Sequence, residues 1–233
     1  MRYRYLILSL FIFLSTSAFA EFELNKVRSF LSIKNTIDTF KVTNPDKTKV
    51  ADLQAQISVW TQKDGQDIYT PTTDLIVAPP MMKIPPKKTQ LLRVGWRQPT
   101  PLLVEKTYRL FLQEITPLKP LEQTGVNVRL RLNIPIFITP AEPLYQLQWQ
   151  VLSLSGNQLK VGVRNTGNVH VQVLRANLKT ADGTVVGAND SAFTLLAGQG
   201  TQIAFNMNNT ATKSLQLIAD TDYVPMQATI TIP

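Results

Sequence analysis

Few side chains in this sequence are able to do covalent or metal chemistry. Among its 233 residues there is no Cys and a single His, His170. Thiolate nucleophiles, disulfides and multi-histidine metal cages are therefore excluded. A hydrolase built on two carboxylates needs acids at a spacing that makes them converge, and the 16 Asp and Glu residues show none. Ser153, Ser155 and Ser191 fall in turn-like stretches without a nucleophile-elbow motif, and His170, close behind Asn168, reads as a surface or turn-flanking residue. No Gly-rich phosphate loop is present, so no ATP site, metal or other cofactor is expected. What is left is binding chemistry. The 24 Lys and Arg residues give a formal net charge of +8, a balance that suits an acidic protein partner, a membrane surface or nucleic acid. These cations are scattered singly along strand-like segments, and nucleic acid is not expected as a partner. Trp60, Trp96 and Trp149 read as core anchors, and Lys87-Lys88 as solvated residues beside a turn.

The elements that must position these groups are strands. Residues 1–20 stand apart as an expected signal peptide: Arg2 and Arg4 make a basic start, Tyr5 to Leu14 an apolar stretch, and Ala18-Phe19-Ala20 a cleavage pattern. Beyond them, Val126, Val128, Leu130, Leu132, Ile134, Ile136 and Ile138 occupy every second position, with polar residues at most of the positions between, which predicts one long strand. Shorter strands are predicted at Thr39 to Thr43, Leu53 to Trp60, Gln90 to Trp96, Tyr108 to Ile115, Tyr145 to Leu152, Leu159 to Arg164, Val169 to Leu174, Thr201 to Met207 and Gln227 to Ile232. Turn signals separate them, among them Asn44-Pro45-Asp46, Asp64-Gly65, Ser155-Gly156-Asn157 and Asp182-Gly183. The fold class is all-β. Two prolines in Thr139-Pro140-Ala141-Glu142-Pro143 break the alternation and place a linker at 140–143, between sandwiches of immunoglobulin-like size at 21–139 and 144–233.

Particular residues now resemble a known family. The succession Val27-Arg28-Ser29-Phe30, Ala78-Pro79-Pro80, Ile84-Pro85, Gln90-Leu91-Leu92-Arg93-Val94, Tyr108-Arg109-Leu110-Phe111-Leu112-Gln113-Glu114-Ile115-Thr116-Pro117 and Ile134-Pro135-Ile136-Phe137 is similar to the periplasmic chaperones of chaperone–usher pili. Val163-Arg164-Asn165-Thr166-Gly167-Asn168 and Leu195-Leu196-Ala197-Gly198 resemble that family's second sandwich. The resemblance implies two immunoglobulin-like sandwiches in a boomerang, located in the periplasm and without enzymatic activity. Such a protein lends a strand to pilin subunits that lack one and hands them to an outer-membrane usher. When empty, members of the family can cap themselves as a homodimer.

The same resemblance assigns site residues. Val126, Val128, Leu130 and Leu132 would be the side chains of the donor strand. Alternation alone is equally compatible with all four being core residues of their own domain. A basic pair in the cleft is expected to anchor the pilin's C-terminal carboxylate, and Arg28 matches its first member. Pro135 stands where the second cation is usual. In the family's archaic branch an Arg of the Tyr-Arg-Leu block serves, here Arg109, which ranks with Arg28 above Arg129 and Arg131. An ionic cluster between the domains is expected from Arg93, Glu114 and Asp222, with Thr139 replacing a usual Arg. The rival reading is a secreted adhesin or carbohydrate-binding module of the same fold.

Overall fold

The computed structural model describes residues 22–63, 65–115, 129–208 and 213–232. The expected signal peptide, the loop expected at Thr116 to Gly125, and Val126 and Val128 lie outside them. Among the described residues the alternating pattern resolves into eighteen strands. The first ten are β1 (Glu23–Leu24), β2 (Ser29–Leu31), β3 (Ile37–Thr43), β4 (Ala51–Lys63), β5 (Gln66–Pro71), β6 (Leu75–Ala78), β7 (Met81–Ile84), β8 (Thr89–Trp96), β9 (Lys106–Glu114) and β10 (Arg131–Ile138). They form a four-stranded sheet in the order β1-β3-β8-β6 and a six-stranded sheet in the order β2-β10-β9-β4-β5, with β7 also on β4. The N-terminal segment thus changes sheets between β1 and β2. Inward residues of the two sheets, including Phe40, Leu53, Leu92, Leu110, Leu112, Ile134, Ile136 and Ile138, close one dry core. Burying each such side chain is worth about 1.5 to 3 kcal/mol.

The second unit contains β11 (Leu147–Ser155), β12 (Gln158–Asn165), β13 (Val171–Lys179), β14 (Val185–Asn189), β15 (Phe193–Leu195), β16 (Gly200–Asn206), β17 (Ser214–Thr221) and β18 (Met226–Thr231). A three-stranded sheet, β11-β12-β16, faces a five-stranded one, β14-β13-β17-β18 with β15 also on β13. Leu159, Val161, Val173, Leu178, Phe205 and Leu217 fill the space between. Close backbone approach accounts for one glycine here. A Cβ on Gly167 would stand 2.1 Å from Leu144 O, at the turn where Asn168 N donates to that same oxygen at 3.0 Å.

Two expectations change at this level. The long strand begins at Arg131, and Leu130 lies just outside it, although its carbonyl still accepts the Glu114 N–H at 3.0 Å. β1, β2, β5, β6, β7, β14, β15 and β17 appear where no strand was predicted. β5 is exposed along its whole length, so no buried face imposes an alternation on it.

Candidate functional site

Three strands lie side by side where the expected anchor residues gather. β10 pairs with β9 antiparallel along its full length, placing Arg109 opposite Pro135. On its other side β10 pairs with β2 in parallel and only at Ile136–Ile138, Ser29 being level with Ile136. One residue earlier on that segment, Arg28 comes level with Pro135. Two cations therefore flank the proline, about 10 Å apart at the backbone, given a strand spacing of about 4.8 Å. Even-numbered positions of β10 face the core, so Pro135, Phe137 and their neighbours Arg109 and Phe111 face outward. A proline at 135 removes a donor, which sheets tolerate on an edge strand, and among the described residues β10 has no second neighbour from Arg131 to Pro135.

Arg109 is held flat rather than left to wave. Its guanidinium carbon lies 3.6 Å from the centroid of the Trp60 ring, a cation–π stack on an indole that is only 2% exposed. Its Nε and the Trp60 Nε1 are both buried and have no hydrogen-bond partner among the described residues. Among the described residues the closest carboxylate is Asp67 of β5, at 3.9 Å from an Arg109 terminal nitrogen. Burial lowers the Arg109 pKa, against the opposing pull of Tyr69 and Asp67. Such a cation, partly stripped of water and short of acceptors, is suited to take a carboxylate bidentately. Next to it the stack continues, with Arg131 4.2 Å over Phe111 and Tyr69 edge-on to the same ring at 5.3 Å.

Arg28 is differently engaged. It donates to Asp222 at 3.0 Å and to the Gln172 side chain at 3.4 Å, which ties the strand-β2 segment to the second sandwich. This corrects the expected ionic cluster. Arg93 is exposed on β8 of the four-stranded sheet, whereas Glu114 ends β9 in the six-stranded sheet. The core separates those layers, and among the described residues no ion pair joins the two. Of the three expected members only Asp222 sits in the joint, and its partner is Arg28.

The acid that the first sandwich does contribute is Glu105, just before β9. His170 Nδ1 lies 2.6 Å from its Oε2, and the His170 N–H donates to the same oxygen at 2.8 Å. The two side chains are 1% and 2% exposed. This corrects the reading of His170 as a surface residue. Its imidazole stacks on Phe137 at 3.5 Å between centroids and 3° between planes. The turn that delivers it is organised by buried Asn165, whose amide donates to Val169 O at 2.7 Å and Leu195 O at 3.0 Å. Val171 points into its own core while His170 reaches the first sandwich, and Val169 between the turn and His170 is buried as well. Alternation is preserved, but both faces are covered.

Two more residues that sequence reasoning missed complete the joint. Asn168 donates to Leu103 O at 2.9 Å. Gln62, near the tip of the β4–β5 hairpin, donates to Thr194 O at 2.9 Å and accepts from Leu196 N at 3.0 Å. Beside it Trp60, Phe137 and Leu196 form a small apolar cluster spanning both sandwiches. Among the described residues no group of His, Asp and Glu is arranged to hold a metal.

The expected donor residues divide. Leu130 and Leu132 are half-buried on the core-facing side at the open end of the first sandwich, packed against its core. Val126 and Val128 precede the described part of that segment.

Residues 21–143 match the family model described as pili and flagellar-assembly chaperone, PapD N-terminal domain. The whole architecture is similar to solved structures. One is a chain of the CsuC–CsuE chaperone–tip adhesion subunit pre-assembly complex from archaic chaperone-usher Csu pili of Acinetobacter baumannii, at 20% identity and a TM-score of 0.64, covering 92% of this chain and 100% of that one. A second is the CupB2 chaperone of Pseudomonas aeruginosa, at 19% identity and 0.57, covering 91% and 100%. A third belongs to the SafA pilin complex with the SafB chaperone of Salmonella enterica, at 16% and 0.57, covering 90% and 96%. No curated protein matches the chain.

Proposed function

We infer the working mode of this chain from its kinship: it belongs to the pili and flagellar-assembly chaperone family, and it is a periplasmic chaperone, not an enzyme, that serves pilin subunits by donor-strand complementation. The observation that carries this reading is the edge of β10 away from β9, which among the described residues pairs with no strand from Arg131 to Pro135; half-buried Leu130 and Leu132 lie beside it and Arg109 stands opposite Pro135 on β9. A subunit that lacks a strand exposes unpaired backbone and apolar surface, both of which invite aggregation. β10 offers it complementary backbone groups, and alternate side chains fill its pockets.

The site residues follow from that mode. Leu130 and Leu132, with Val126 and Val128 ahead of them, are the inserting side chains. Their partial cover by the home core means each gains less than the 1.5 to 3 kcal/mol of a fully exposed leucine, about 1 kcal/mol. Arg109 receives the pilin's terminal carboxylate, and Arg28, level with it, adds a second positive charge while holding Asp222. The loaded chaperone passes its subunit to an outer-membrane usher. In the empty protein a second copy covers the β10 edge as a homodimer. Residues 21–139 form the pilin-binding sandwich, 140–143 the linker and 144–233 the second sandwich.

Co-expression with a pilin subunit of the same organism tests this. L130D and L132D are expected to abolish pilin co-purification while the circular-dichroism melt stays within a few degrees of wild type. Loss of folding in both, or folded variants that co-purify pilin as wild type does, removes the donor role.

A further inference from the structure

Among the described residues the carboxylate nearest to Arg109 is Asp67, and neutral donors hold both of its oxygens. Asp67 lies on β5, level with Gln62 of β4. Its Oδ1 accepts from Gln62 Nε2 at 3.0 Å and its Oδ2 from the Tyr69 hydroxyl at 3.0 Å. That same Oδ2 stops 3.9 Å from the Arg109 guanidinium, beyond the roughly 2.8 Å of a charge-assisted hydrogen bond. Both oxygens are thus restrained by neutral donors at a distance from which the carboxylate still attracts the guanidinium without saturating it. The restraint is stiff at one end, because the Gln62 amide is also fixed to Thr194 O and Leu196 N.

We propose that Asp67 is an internal competitor at the Arg109 site, held by Tyr69 and Gln62 at a distance that lets a pilin carboxylate in while discouraging stray small carboxylates. This deepens the reading of Arg109 as the carboxylate anchor and rests on it. An isolated small anion must overcome the local negative charge unaided. A pilin terminus arrives with the binding energy of an added strand behind it. The penalty is the same for both and leaves their affinity ratio unchanged; it sets a threshold that a weakly held small anion fails and a strand-borne terminus passes.

The test uses sodium acetate as the probe, with sodium chloride at equal ionic strength as the control, and follows the Arg109 Nε–Hε resonance by 15N NMR. In D67N acetate is expected to bind about two- to fivefold more tightly than in wild type, the range of one partly exposed ion pair. Y69F keeps the ring against Phe111 but frees Oδ2 to close on Arg109, and acetate is expected to bind about two- to fivefold more weakly. Equal affinities in all three proteins, or weaker binding in D67N, overturn the competitor role while Arg109 remains an anion site. If acetate shifts other arginines but leaves Arg109 unmoved in both wild type and D67N, the anchor reading itself falls, and the competitor with it.

Discussion

Glu105 shows how much a single residue can be asked to hold. Its carboxylate is enclosed between the two sandwiches, with the His170 ring and N–H on one oxygen and the Thr139 hydroxyl 3.4 Å from the other. Removing the imidazole takes one contact from a buried carboxylate that keeps the backbone N–H of residue 170 and the Thr139 hydroxyl, a loss that typically costs about 1 to 3 kcal/mol. H170A is therefore expected to lose stability in that range, aggravated by the lost stack on Phe137. E105Q keeps the shape and an acceptor for the His170 N–H, and is expected to cost no more than about 1 to 2 kcal/mol. Urea unfolding of the three proteins checks the order. A larger loss in E105Q than in H170A would contradict it. At this scale little was legible beforehand. His170 flanks a turn signal, and nothing in its neighbours Asn168 and Val169 announces that a glutamate far back in the chain will reach it.

At the scale of elements, the short strand β2 matters because it decides how much of β10 stays free. Its attachment beyond the ladder is Ser29, whose hydroxyl donates to Asp38 of β3 at 2.6 Å, while Lys26 closes on the other oxygen. Burial pushes the Asp38 carboxyl up, but the hydrogen bonds from Lys26, Ser29 and the Thr39 N–H together outweigh it and hold its pKa below the ordinary 3.8. The folded protein therefore binds this proton less readily than the unfolded chain. The resulting stabilisation is complete above about pH 5 and disappears as pH falls through the lowered value. Melting temperatures are expected to fall between pH 5 and pH 2.5 in wild type and to fall less in D38N. A residual slope is expected from Asp46 and Asp182, which are lowered as well. Most strands were legible, β10 above all, because one buried face imposes a period of two. The hairpin partner β5 was not, since an edge strand exposed on both faces carries no such pattern. β17 was missed for another reason: Ile218 on its outer face interrupts the alternation of Leu215, Leu217 and Ala219. What strand patterns never contain is register across the sheet. That Arg109 meets Pro135, and not some other residue of β10, follows only once both strands are paired.

For the molecule as a whole, the joint is dispersed over separate contacts: Glu105 with His170, Arg28 with Asp222, Asn168 with Leu103 and Gln62 with Leu196. Each links a different segment of the first sandwich to the second, which fixes more than one direction of relative motion. The expected Arg93–Glu114–Asp222 cluster would have concentrated the same duty in one place. The pairing of Arg109 with Pro135 has a metrical consequence. From that level to Leu130 an extended strand measures about 17 Å, so charge and apolar side chains are set out like marks on a gauge. A pilin lengthened by one residue at its C terminus would be read half a period out of step, its alternate side chains turned to the wrong face. Lengthening by two residues would bring the faces back but displace them by about 7 Å. If Arg109 holds the terminus, affinity measured for the natural terminus and for one- and two-residue extensions is expected to be lowest for the odd extension, a dependence by which clients would be told apart by where their chain stops.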